Sequence, residues 1–211
     1  MNDRRYSSSI ELLREAAQWH LLSLLLSRPV PERKNEARQL AAETDDVRLR
    51  AAAIEWCDNA DEGGYLHLLG PGGQVPSRVV AYRPFADPGW MLADIARYHE
   101  AFGFYPLTEE PPDHIGVLAD FGSYLLLKEA YAREKADEVS ADIAHSARER
   151  FNDEYLVPVA RRMAERLDAC GATSWSAAVH RIAEKLPEPR PAAAGPSVEN
   201  EMFECAGCKA N

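Results

Sequence analysis

Apolar residues recur at helical spacing through almost the whole chain, and nothing else in the sequence limits the fold as much. Ile10, Leu13, Ala17, Leu21, Leu24 and Leu25 fall on one face by the i, i+3, i+4, i+7 rule. Ser8 and Glu11 read as a capping box at the start of that helix, and Pro29 and Pro31 as its end. A charged amphipathic helix is expected over Glu32 to Glu43, and an alanine-rich one over Asp46 to Asn59. Gly63-Gly64 then breaks the pattern. A short helical piece, Tyr65 to Leu69, stops at Gly70-Pro71-Gly72-Gly73.

Asp87-Pro88 carries the chemistry of a helix start, a side-chain acceptor followed by a proline whose missing N–H costs nothing at N1. Met91, Ile95, Tyr98 and Phe102 form its stripe, and Gly103 stops it in the left-handed conformation. After a loop with Pro106, Pro111 and Pro112, Asp113 is placed to cap a helix striped by Ile115, Leu118, Phe121 and Leu125 and reaching about Glu134. Ser140 is expected to open the next helix, and Pro158 implies a kink or a fresh helix start in its continuation over Asp153 to Cys170. Ser174 is expected to cap a last helix that carries Trp175, Val179, Ile182 and Leu186. Only Val75 to Tyr82 has a weak strand pattern, and no repeat period is evident. The expectation is all-α: one compact multi-helix domain over residues 1–186, followed by a flexible Pro/Ala-rich tail over 187–211.

Charge narrows the function. The 211 residues include 34 acids against 24 lysines and arginines, a net charge of −10. That disfavours a nucleic-acid partner, which needs a cationic face, and suits a basic one. Four cysteines are too few for a disulfide scaffold, and the apolar run Leu21 to Leu26 is too short for a membrane span and lacks a cleavage site. These features predict a soluble cytoplasmic protein without stable membrane insertion.

The acids are concentrated. Between Asp87 and Asp120 seven of them (Asp87, Asp94, Glu100, Glu109, Glu110, Asp113, Asp120) meet a single base, Arg97, a balance of −6. Trp90, Tyr98, Phe102, Phe104, Tyr105 and Phe121 are interleaved with them. Carboxylates take guanidinium groups in a forked hydrogen-bonded pair, and aromatic walls take apolar side chains, so the segment suits a peptide with arginines beside an apolar run. The alternative is a solvated acidic face whose aromatics turn into the core. Pro111-Pro112-Asp113-His114 likewise reads two ways, as a stiff helix cap or as an imidazole at the mouth of a groove.

Enzyme templates are absent. Gly70-Pro71-Gly72-Gly73 lacks the lysine of a phosphate-binding loop, no Gly-x-Ser-x-Gly elbow occurs, and Asp142 and His145 have no second pair to complete a metal centre. Cys205-Ala206-Gly207-Cys208 supplies half of a tetrahedral zinc site, so a metal-binding or redox protein acting through Cys205 and Cys208 is the alternative function.

Tyr65-Leu66-His67-Leu68-Leu69-Gly70-Pro71-Gly72, Tyr82, the Tyr98 to Gly103 helix end and Pro111-Pro112-Asp113-His114-Ile115 with Phe121 resemble the TorD/DmsD/NarJ-like family of molybdoenzyme maturation chaperones. The resemblance runs from about Glu11 to Leu186. Two departures stand out: the family's Glu-Leu-Glu-Phe run is here Leu118-Ala119-Asp120-Phe121, and its later His-Leu element is Tyr155-Leu156. The resemblance implies a TorD-like helical fold and a chaperone with no catalytic turnover and no cofactor of its own. Its partner would be a molybdopterin-containing catalytic subunit, held by its N-terminal region or twin-arginine leader until the cofactor is inserted and export begins. On that reading Asp113, His114 and Asp120 are polar contacts to the peptide. Tyr65, Leu68, Leu69, Tyr82 and Trp90 form its apolar walls.

Overall fold

The computed structural model describes residues 2–185, with side chains from Ser9 onward. Cys205, Cys208 and the expected tail lie outside the described residues. In chain order the helices are α1 (Asn2–Leu25), α2 (Pro31–Glu43), α3 (Val47–Asn59), α4 (Glu62–Leu68), α5 (Pro88–Phe102), α6 (Ile115–Glu134), α7 (Glu138–Phe151), α8 (Val157–Ala169) and α9 (Thr173–Lys185). The described residues form an all-α fold, as the periodicity predicts. In place of the weak strand there is a 3-10 turn at Val79–Tyr82 and one isolated antiparallel bridge between Arg78 and His114. Among the described residues no helix is long and apolar enough to cross a membrane.

The fold is organised around α6. Its residues are apolar on nearly every face, and from Ile115 to Ala119 all are buried. A helix that is apolar all round belongs inside a core rather than on its surface. Its most extensive partner is α1. Gly122 lets the two approach, since a Cβ there would already touch the Trp19 indole at 3.7 Å, and the Ser123 hydroxyl donates to the Ala16 carbonyl at 2.8 Å. Both elements contribute to one contiguous core.

Local chemistry explains most helix ends. Asp87 accepts from the Trp90 N–H at 2.7 Å with Pro88 in the first turn, and Gly103 ends α5 at φ 68°. Asp46 caps α3 through the Leu49 N–H. Other ends differ from the sequence expectation. α1 runs on from Asn2, so Ser8 does not start it. Gly63 and Gly64 do not break α4 but form its first turn, because Asp61 caps it through the Gly64 N–H. Asp137, not Ser140, opens α7, accepting from both the N–H and the hydroxyl of Ser140. Pro158, by contrast, does mark a fresh helix start: it sits in the first turn of α8, directly after a π-helical turn at Asn152–Leu156. Ser174 lies inside the first turn of α9 rather than capping it.

Candidate functional site

Two neighbouring structures meet at the start of α6: a buried polar knot and an open hollow. The knot ties the segment after α4 to the approach of α6. The Ile115 N–H donates to the Ser77 carbonyl at 2.8 Å, and the Val79 N–H donates to that of Asp113 at 3.1 Å. The Asp113 carboxylate is fully buried and accepts from Arg78 Nε at 2.9 Å and from the Val80 N–H at 3.2 Å. With its carboxylate spent on these donors, Asp113 does not cap α6. His114 does so instead, its Nδ1 accepting from the Gly116 N–H at 3.1 Å.

That bond fixes the tautomer. An imidazole that accepts at Nδ1 carries its proton on Nε2, which donates to the Tyr65 hydroxyl oxygen 3.0 Å away. Burial, helped by the nearby Arg33 and Arg78 charges, pushes His114 down to about 4, so the ring is neutral at physiological pH. Burial also raises the Tyr65 hydroxyl, and the Glu110 carboxylate raises it further. Tyr65, Leu69, Tyr82, Asp113 and His114 are all buried, and Leu68 is half-buried against the core. Tyr65 and His114 thus meet in the knot, and Leu69 is tied to it by its carbonyl, which accepts from the Ser77 hydroxyl at 2.8 Å. Tyr82 instead faces α8, where the Arg166 guanidinium lies 5.2 Å from its ring centre. Trp90 stays apart, on the exposed first turn of α5.

The hollow measures about 460 Å³, within the range of small-ligand and peptide side-chain sites. Its walls are α1 (His20, Ser23, Leu24) and the turn after it (Ser27), α2 (Arg33, Glu36), the loop from Gly103 to Thr108, and α6 (Gly116, Val117, Asp120, Tyr124). Gly116 belongs to both structures: His114 caps its N–H, and it lines the hollow. Only a glycine fits there without adjustment, since a Cβ would come within 2.9 Å of the Ser27 hydroxyl and 3.2 Å of the Ser23 carbonyl.

Of the eight residues predicted from sequence, only Asp120 lines this hollow. Its carboxylate oxygen lies 2.7 Å from His20 Nδ1, and Glu36 lies 2.9 Å from His20 Nε2. Beside them Tyr105 and Leu107, 78% and 99% exposed, provide unsatisfied apolar surface. Arg33 anchors the loop through Thr108 at 3.5 Å. Sequence reasoning missed His20 and Glu36. A histidine inside the apolar stretch from Trp19 to Leu26 was the available signal, whereas nothing distinguishes Glu36 from its charged neighbours on α2.

The other acids of the 87–120 segment are dispersed. Asp87 caps α5, and Asp94 accepts from Arg97 and from the Tyr155 hydroxyl. Most of the aromatics do turn inward: Phe102, Phe104, Phe121, Tyr98 and His99 join Phe151 in an edge-to-face cluster. His145, paired in the sequence with Asp142, instead reaches the buried Glu129 carboxylate at 3.4 Å. Among the described residues no group of three or more histidine, cysteine or acidic side chains is arranged to hold a metal. Compared with models of known protein families and with curated proteins, the chain matches none.

Proposed function

We propose that this protein is a cytoplasmic chaperone, without catalytic turnover, that holds the N-terminal region of a molybdoenzyme catalytic subunit, its twin-arginine leader above all, while the cofactor is inserted before export. The supporting observation is the hollow at the start of α6, where two carboxylates from different helices, Asp120 and Glu36, stand beside the exposed Tyr105 and Leu107. A twin-arginine leader is a guanidinium pair followed by a modest apolar stretch. Carboxylates recognise the first half by planar, charge-assisted hydrogen bonds, and apolar side chains take the second by burial, at about 1.5–3 kcal/mol for each large side chain removed from water. Asp113, His114, Tyr65 and Leu69 serve the same site indirectly. They fix the entry of α6, and with it the position of Asp120 one turn further on. The pair that buried Asp113 makes with the exposed Arg78 is therefore a positioning element in this reading, and Trp90 lies outside the contact surface.

Titrating the purified protein with synthetic leaders tests the proposal. A twin-arginine leader is expected to bind on the order of tenfold more tightly than its twin-lysine form, because an ammonium cannot make the forked pair, and more tightly still than a twin-alanine form. Equal affinity for all three would overturn arginine recognition.

A further inference from the structure

His20 is held on both sides. Its Nδ1 faces Asp120 on α6 and its Nε2 faces Glu36 on α2, at 2.7 and 2.9 Å. Ionised carboxylates only accept hydrogen bonds, so a ring facing one at each nitrogen must donate from both, which makes it an imidazolium. The two carboxylates hold it in that form: the hydrogen bond to Asp120, opposed by burial and supported by Glu36, raises its pKa to about 9. The remaining charged or titratable groups of the hollow are Arg33 on α2, Tyr105 on the loop and Tyr124 on α6. With His20 protonated, two cations (His20, Arg33) balance two anions (Asp120, Glu36). An arriving guanidinium therefore finds well-placed acceptors but no net attraction.

We propose that a client arginine takes the place of His20 between Asp120 and Glu36, and that the displaced imidazole releases its proton to water. The inference rests on the client-binding reading above and adds its control: the hollow carries its own counter-ion, and capture is an exchange of one cation for another. One positive charge enters and one proton leaves, so the net charge of the site is unchanged. The exchange favours arginine over weaker cations, because only a group that satisfies both carboxylates as well as the imidazolium did can displace it. It also ties affinity to pH, since the free protein binds a proton that the complex has lost.

Titration of the full-length protein with a synthetic twin-arginine leader and, separately, with an Arg-Arg dipeptide amide distinguishes the two levels of the account. Between pH 7 and 8.5, below the pKa of the clamped ring and above that of an ordinary histidine, affinity should rise on the order of tenfold. Calorimetry in two buffers of different ionisation enthalpy should show about one proton released per leader bound near pH 7.5. His20→Gln, which leaves both carboxylates without their resident cation, should bind the leader on the order of tenfold more tightly at pH 7 and with a flat pH profile. A leader that binds wild-type protein independently of pH, or a His20→Gln variant that remains folded by circular dichroism and binds more weakly, would overturn the exchange and leave the chaperone reading standing. A dipeptide that binds with the predicted pH rise while the leader fails to bind would keep the exchange and overturn the leader as client. If neither binds, both fall.

Discussion

At the scale of the residue, two buried histidines make the fold sensitive to acid. His99 lies among Phe104, Phe121 and Phe151, with ring centroids 4.9, 4.8 and 6.3 Å away, and its Nε2 has no hydrogen-bond partner among the described residues. Burial pushes it down to about 4, as it does His114. An unfolded chain takes up protons at both rings from about pH 6.5 downward, and the folded chain only near 4. Stability is therefore whole above the ordinary histidine range and falls as pH drops through that window, by on the order of 3 kcal/mol for each ring. His99→Leu should unfold in urea no earlier than wild type at pH 7 and lose distinctly less stability at pH 4.5. Equal losses in the two proteins would contradict a neutral, unpartnered His99. Asp113 tests the knot. Asp113→Ala orphans the Val80 N–H but leaves Arg78, 41% exposed at its side chain, free to rehydrate. The expected cost is about 2 kcal/mol of unfolding free energy, below that of a fully buried pair.

At the scale of the element, the junctions carry the predictions. Ala136, between α6 and α7, has φ 57°, a left-handed conformation that a Cβ disfavours. It is exposed, so Ala136→Gly relieves the strain without opening a cavity and should raise stability by up to about 1 kcal/mol in chemical denaturation. The α6–α7 pair is further held by the buried Glu129, whose carboxylate receives Arg133 at 2.6 Å and lies near Arg148 and His145. The loop from Gly103 to Thr108 behaves differently. Tyr105 and Leu107 support no packing, so Tyr105→Ala with Leu107→Ala should leave the thermal midpoint unchanged and weaken leader binding by on the order of tenfold or more. A shifted midpoint with unchanged binding would place these side chains in the fold and not in the site.

At the scale of the molecule, the sequence was legible where one local signal stood alone, and not where two caps compete within a turn, as Asp137 does with Ser140. Asp87-Pro88 and Gly103 act within one helical turn, and the stripe of α6 announces its own burial. Legibility ended where a local signal has two possible partners. Asp113 carries the chemistry of a cap, but Arg78, 35 residues earlier, claims its carboxylate and leaves the cap to His114. The same limit applies to the site. Asp120 was identifiable as an acid on an aromatic-rich segment. Its partner His20 is 100 residues away and Glu36 lies on a third helix, and only tertiary packing brings the three together. The hollow they form is small beside the whole acidic surface. Leader binding should accordingly weaken as salt rises, through slower association, while the apolar contribution persists.

Resonance-by-resonance mapping of isotopically labelled protein on addition of a twin-arginine leader locates the peptide on the molecule. The largest shifts should fall on His20, Glu36, Tyr105, Leu107 and Asp120, with α8 and α9 unmoved. Shifts centred on Trp90 or on the α8–α9 pair, with the hollow silent, would contradict that placement.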